Sequence, residues 1–288
     1  MSGFARAWKL SIVNGIATGV LCASATSSPV FAAPPATFTL APDATTAWVA
    51  DRLTGDDFLP PPSGPGPIMS EKDHPYVPNG GGGAPTYRVA DLSNPILQPW
   101  ARELMKKAND DVLAGKVPFI ARERCWPGGM PGFLVDARIV PVYFLERPKE
   151  LLMVIQLDSM VRHIYMDVSH STDLKPSWYG ESVGHYEGDT LVVDTIGMND
   201  RSFVDNYRTP HTTQIHTVER FNLLDNGNIL QVVVTVEDPG AFTTPWTAIQ
   251  RYKRVKRAPL EESRCAENNN NYLNESVRPI PTAGKPDF

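Results

Sequence analysis

A mainly β protein is what the sequence predicts, in the form of an eight-stranded antiparallel barrel. Three observations carry that expectation. Apolar residues alternate through eight stretches after Cys125, turn-forming residues join three neighbouring pairs of them through gaps of three or four positions, and the region ahead of them is too rich in proline and glycine to build a regular core.

The chain of 288 residues opens with Arg6 and Lys9, then a mostly apolar run from Leu10 to Cys22, then Val30, Phe31 and Ala32 in the small-x-small pattern of a signal-peptidase site. We expect residues 1–32 to be a cleavable leader, cut after Ala32 or Ala33. The apolar run is too short to cross a bilayer as a helix. Bulky Leu21 ahead of Cys22 argues against a lipid anchor. Residues 33–94 read as an arm, with Pro60, Pro61, Pro62, Gly64, Pro65, Gly66 and Pro67 and the run Gly80 to Gly83, and with Ala47 to Leu53 as a short ordered piece. From Pro95 to Ala114 the residues Ile96, Leu97, Trp100, Leu104, Met105, Ala108 and Val112 recur at three and four. That spacing predicts an amphipathic helix stopped by Gly115.

Residues 95–288 form the predicted folded domain, this helix plus a barrel and a C-terminal tail. Strands are expected at 140–146, 151–158, 160–167, 181–186, 190–196, 213–224, 229–237 and 245–254. Leu151, Met153, Ile155 and Leu157, and likewise Leu230, Val232, Val234 and Val236, read as core faces. Arg147 and Pro148, Glu187 to Asp189, and Asp225 to Gly227 supply short turns that join antiparallel neighbours. Eight such strands bury their apolar faces best by closing, which gives a calycin- or lipocalin-like barrel with room for packed side chains or one small ligand; a two-sheet sandwich is the competing arrangement.

After loss of the leader two cysteines remain, Cys125 and Cys265. In an exported protein an even count reads as one disulfide, here bracketing the strands, worth roughly 4 to 5 kcal/mol by loop-closure entropy. A net charge of -5 argues against a nucleic-acid surface. No later apolar run reaches membrane length, so no membrane insertion is expected after cleavage. The location expected is periplasmic or secreted, the partner a small-molecule substrate or ligand, and the oligomeric state is left open, a homodimer included.

Candidate chemistry gathers on the strands. Asp194 lies within apolar Leu191, Val192 and Val193, where a carboxylate needs a partner. His163, Tyr165 and Asp167 share one face of their strand and Arg162 the other. If those three point into the barrel, a histidine and a phenol stand close enough to work on one substrate. If they point out, they are polar surface, which alternation slightly favours because Ile164 and Met166 accompany Arg162. His211 follows Pro210 in a rim loop, and His216 starts a strand that continues through Glu219 and Arg220. Gly180, Ser182 and Gly184 spell a nucleophile-elbow motif, but the strand runs on past Ser182 where an elbow would turn into a helix. The histidines, with Asp167, Asp173 and Glu219, also compose a metal-binding set by number, yet no close ligand spacing is present and no metal is assigned.

Trp178 to Thr195 reads W-Y-G-E-S-V-G-H-Y-E-G-D-T-L-V-V-D-T, followed by His211, His216, Glu219, Arg220, Asp238, Pro239, Pro245 and Trp246, and preceded by a Cys-x-Pro-x-Gly entry at Cys125, Pro127 and Gly129. Together these resemble a largely uncharacterised family of secreted bacterial β-rich proteins, over roughly residues 100–270, with Tyr186 standing where the pattern usually has tryptophan. The resemblance carries an association with cofactor-independent lyases acting on lignin-derived aromatics. The expected function is therefore acid-base lyase or isomerase chemistry without a cofactor on a small, partly aromatic molecule. His211 or His216 would be the acid or base, Tyr165 and Asp194 would move or orient protons, and Arg162 or Arg220 would stabilise negative charge. Trp178, Tyr179, Tyr186, Arg220 and Trp246 would bind substrate at a pocket mouth. Two other classes compete: a lipocalin-like carrier of a hydrophobic ligand, and a metal-dependent hydrolase.

Overall fold

The computed structural model describes residues 38–43, 45–51, 57–77, 86–119, 121, 125–135, 140–256 and 260–262. The expected leader and Cys265 lie outside the described residues, so neither the cleavage site nor the Cys125 to Cys265 pairing is seen.

Among the described residues nine strands, not eight, close a barrel in simple sequence order. They are β1 (Thr46–Ala50), β2 (Val142–Arg147), β3 (Glu150–Ile155), β4 (Met160–Met166), β5 (Glu181–Glu187), β6 (Thr190–Ile196), β7 (His216–Leu224), β8 (Ile229–Glu237) and β9 (Trp246–Lys256). The extra strand comes from the arm. β1 pairs along its whole length with β9 and touches β2 through Trp48 and Val142, so it shuts the gap that eight strands leave. Closure removes the unpaired backbone edges that an open sheet would expose.

The second correction is to strand direction. Round a ring of nine, directions cannot alternate at every step, so one neighbouring pair has to be parallel. That pair is β4 and β5, with Ile164 opposite Ser182 and Met166 opposite Gly184. Parallel neighbours need a crossover of about a dozen residues to bring the chain back, and residues 167–180 supply it. The hairpins behave as the turn residues require: Pro148 and Lys149 join β2 to β3, Gly188 and Asp189 join β5 to β6, and Asp225 and Asn226 take left-handed φ of 50° and 51° between β7 and β8.

Alternation places Leu191, Val193, Phe221, Leu230, Val232, Val234 and Val236 inside, all fully buried. Each such side chain contributes about 1.5 to 3 kcal/mol of apolar burial. The single α-helix among the described residues, α1 (Pro99–Leu113), packs through Ala101, Met105 and Asn109. Its buried row therefore differs from the apolar stripe read in the sequence. Trp100 and Leu104 are exposed, because Trp100 turns its indole to donate to the Gly240 carbonyl and Asn109 uses its whole amide on the Ala90 backbone N–H and C=O. Arm residues Phe38, Leu40, Phe58, Ile68 and Ala90 join the same core cluster as the barrel.

Candidate functional site

The crossover builds the site. The chain leaves β4 at Asp167, whose N–H donates to the Gly184 carbonyl at 2.8 Å, and returns to β5 through Gly180. At Gly180 φ is +65° and a Cβ would sit 2.3 Å from the Ile196 carbonyl oxygen, so only glycine lets the crossover lie this close to β6. Ser177 is tied on both sides, its N–H donating to Gly197 and its carbonyl accepting from Asn199. The crossover is thereby held against the outer wall of β5 and β6, and His170 comes to rest beside Asp194.

Asp194 points outward from β6, opposite in sense to the buried Val193 and Thr195. One carboxylate oxygen meets His216 Nε2 at 2.9 Å and the other meets His170 Nε2 at 2.9 Å. His170 Nδ1 lies 3.1 Å from a Glu181 oxygen, and Glu181 also accepts from the Ser171 N–H at 2.7 Å and the Ser171 hydroxyl at 2.5 Å. At the far end His216 Nδ1 is 4.0 Å from Glu237. The result is a row Glu181–His170–Asp194–His216 running across three strands and the crossover. Burial acts to raise the Asp194 pKa, but the bonds from His216 and His170 outweigh it and hold the carboxyl below its ordinary value. The same Asp194 bond raises His216. Glu181 is also lowered, its bonds from Ser171 and His170 overcoming burial. Two carboxylates can both accept from His170 only when each ring nitrogen carries a hydrogen.

Glu181 is also where the row meets open space. Two clefts of about 430 and 520 Å³ share Tyr165, Ser171 and Glu181 and so form one continuous groove on the outer wall. Lys149, Val168, Ser169 and Val183 complete the first part, while His163, Asp173, Lys175 and Tyr179 are among the residues completing the second. His163 stacks on Tyr165 with ring centres 6.3 Å apart and contacts Glu150 through Nδ1 at 2.6 Å. His163 and Tyr165 do face outward, as alternation implied, but that outer face is the groove itself.

His211 is elsewhere. It is buried in the rim loop, its Nδ1 donating to the Thr212 carbonyl at 3.0 Å, which leaves Nε2 to accept from the Ser202 hydroxyl at 2.9 Å. Burial pushes the imidazole pKa down, favouring the neutral ring. Gly129 lies directly over this pair: φ is +66° and a Cβ there would fall 2.1 Å from Ser202 Oγ. The Cys-x-Pro-x-Gly segment thus covers the hydroxyl, and the pair is a closed contact within the β6–β7 connection.

Arg162 lies fully buried in the lumen. Its guanidinium spans from β4 to Glu219 on β7 in a two-pronged ion pair and also donates to Thr195 Oγ1 at 2.9 Å and Ser182 Oγ at 3.1 Å. Ser182 is therefore a member of a core network, which accounts for the nucleophile-elbow letters without a nucleophile. Of the residues expected at a pocket mouth, Trp246 is buried against Phe242, Tyr186 packs on Phe38, and Arg220 pairs with Glu187 on the surface. Trp178 sits tilted against Trp126, and only Tyr179 lines the groove, its ring also edge-on to Phe133. Asp194, His216 and Tyr165 share a region with His170 and Glu181, which sequence reasoning did not place there. Among the described residues no three or more His, Cys, Asp or Glu side chains are grouped to hold a metal ion. Comparison with protein-family models, with curated proteins and with solved structures finds no match for this chain.

Proposed function

We propose that this protein is an exported acid-base enzyme, a lyase or isomerase needing no organic cofactor, that acts on a small, partly aromatic molecule in the outer-wall groove. One observation carries the reading: a row of alternating imidazoles and carboxylates ends on Glu181, in the groove, and begins at His216, near solvent. His170 donates its Nδ1 proton through Glu181 to the substrate and is left as the neutral ring with its Nε2–H on Asp194. The proton abstracted in the reaction returns to Nδ1 by the same route, while Asp194 and His216 hold the ring in place. Tyr165, on the groove wall, orients the substrate ring. Arg162 takes no part, since its hydrogen bonds are spent inside the core.

The lipocalin-like carrier reading needs an apolar lumen, and here a buried ion pair crosses that space. Export rests on the amino-terminal pattern and is tested by sequencing the mature amino terminus. The Cys125 to Cys265 disulfide, proposed from the even count, is tested by thiol titration of the denatured protein. Membership of the resembling secreted family rests on the motif from Trp178 to Thr195.

The deciding experiment is turnover. The exported protein is screened by mass spectrometry against mixed small metabolites, and the reaction found is then measured in His170→Gln and His216→Gln. Loss of roughly 10² to 10⁴ in kcat for His170→Gln, the scale of one general acid-base group, is expected. Unchanged kcat in both variants refutes the assignment.

A further inference from the structure

The groove has a charge arrangement that points to its ligand. Lys149 stands in the two-residue turn between β2 and β3, its backbone fixed because its carbonyl accepts from the Met166 N–H at 3.0 Å. The acid beside it in sequence, Glu150, is already engaged by His163 at 2.6 Å and by Arg147 at 3.3 Å. Glu181, the acid lining the same cleft, is bonded by Ser171 and His170. Among the described residues Lys149 therefore has no ion-pair partner, although it lines the groove with Val168, Val183 and the Tyr165 ring. The other lysine of the groove, Lys175, lines the second part, which also carries an exposed carboxylate, Asp173.

We infer that the groove takes an aromatic carboxylate, its ring against Tyr165 and its carboxylate on Lys149 and the Ser169 hydroxyl. This rests on the reading of the groove as the substrate site. An unpaired ammonium beside a ring and two valine side chains suits a flat molecule with one anionic end. Asp173 disfavours the same anion at the Lys175 end, so the two lysines are not equivalent. A ligand seated this way brings the atoms next to its ring over Glu181, within the span that the two clefts share.

The test uses two probes of similar shape, benzoate and benzyl alcohol, titrated into the whole protein and followed by amide NMR shifts at Tyr165, Ser169 and Ser171. Benzoate is expected to bind about tenfold tighter, the scale of one partly exposed charge-assisted bond. Lys149→Gln abolishes that preference, while Lys175→Gln changes it less than about twofold on the same argument. Equal affinity for the two probes, no saturable binding of either, or a preference surviving Lys149→Gln overturns the inference. The His170→Gln variant separates this from the catalytic reading, because it must keep the benzoate preference. If it keeps turnover as well, the relay is refuted and the anion seat stands; if it loses turnover while benzoate shows no preference, the reverse holds.

Discussion

Two charged networks lie on opposite faces of the same strands, and they differ in what happens when a member is removed. Inside, Arg162 and Glu219 have no solvent exposure and every bond they make is to the protein. Outside, Asp194 and His216 are each 34 % exposed, and their row ends in a groove. The residue types are the same kind, cations and carboxylates on neighbouring strands. Access separates them: a network that water and ligands cannot reach specifies structure, and one with an open end can exchange protons.

The largest effect expected from that contrast is on stability. Glu219→Gln leaves a guanidinium buried without its counter-charge, and breaking a buried pair in this way costs about 3 to 5 kcal/mol. Urea unfolding should show the loss as a lower midpoint. Replacing Arg162 and Glu219 together by Met and Leu should recover most of it, since two apolar groups of similar volume need no compensation. A double variant as unstable as the single one would show that the network does more than satisfy itself.

A smaller effect belongs to the third polar contact, the closed Ser202 and His211 pair. Ser202→Ala removes the only hydroxyl bonded to His211 Nε2 among the described contacts, and an unsatisfied buried acceptor costs about 1 to 3 kcal/mol. Turnover of any substrate found for the groove should persist in this variant at temperatures where it stays folded. A collapse of kcat there would move the catalytic centre to the rim and away from Asp194.

How much of this was legible beforehand follows from where the information sits. The eight strands after Cys125 were readable because residues such as Leu230, Val232, Val234 and Val236 alternate against a solvated face. β1 was legible only as the short ordered piece at Ala47 to Leu53 and not as a strand, because five residues inside a proline-rich arm carry no such pattern and become a strand only through pairing with β9. The parallel step between β4 and β5 was hidden for a related reason: the crossover 167–180 has neither helical nor strand periodicity. Asp194 stood out as a carboxylate in an apolar strand. Its two imidazole partners lie 24 and 22 residues away in opposite directions, a relation set by strand order and not by spacing. Glu181 looked like the first residue of a strand, and only the fold shows it accepting from Ser171 and His170.

The smallest effect concerns Asp194 itself, and its pH dependence tells the outer network from the inner one. His216 is raised in the folded state, so its contribution is complete below the unfolded histidine value of about 6.5 and is lost as pH rises through the folded value. Asp194 is lowered, so its contribution is complete above the unfolded aspartate value of about 3.9 and is lost as pH falls through the folded value. The pair therefore adds most between about pH 4 and 6.5. With both groups a third exposed, we expect Asp194→Asn to cost about 1 kcal/mol or less within that window. The difference between wild type and variant should shrink at pH 9 and again below pH 3. His211, which burial lowers, loses its contribution as pH falls, but it does so equally in both proteins and cancels from the difference. Urea midpoints measured across pH 3 to 9 decide the matter: a flat difference would mean that Asp194 acts as packing, and the proton row would lose its central member.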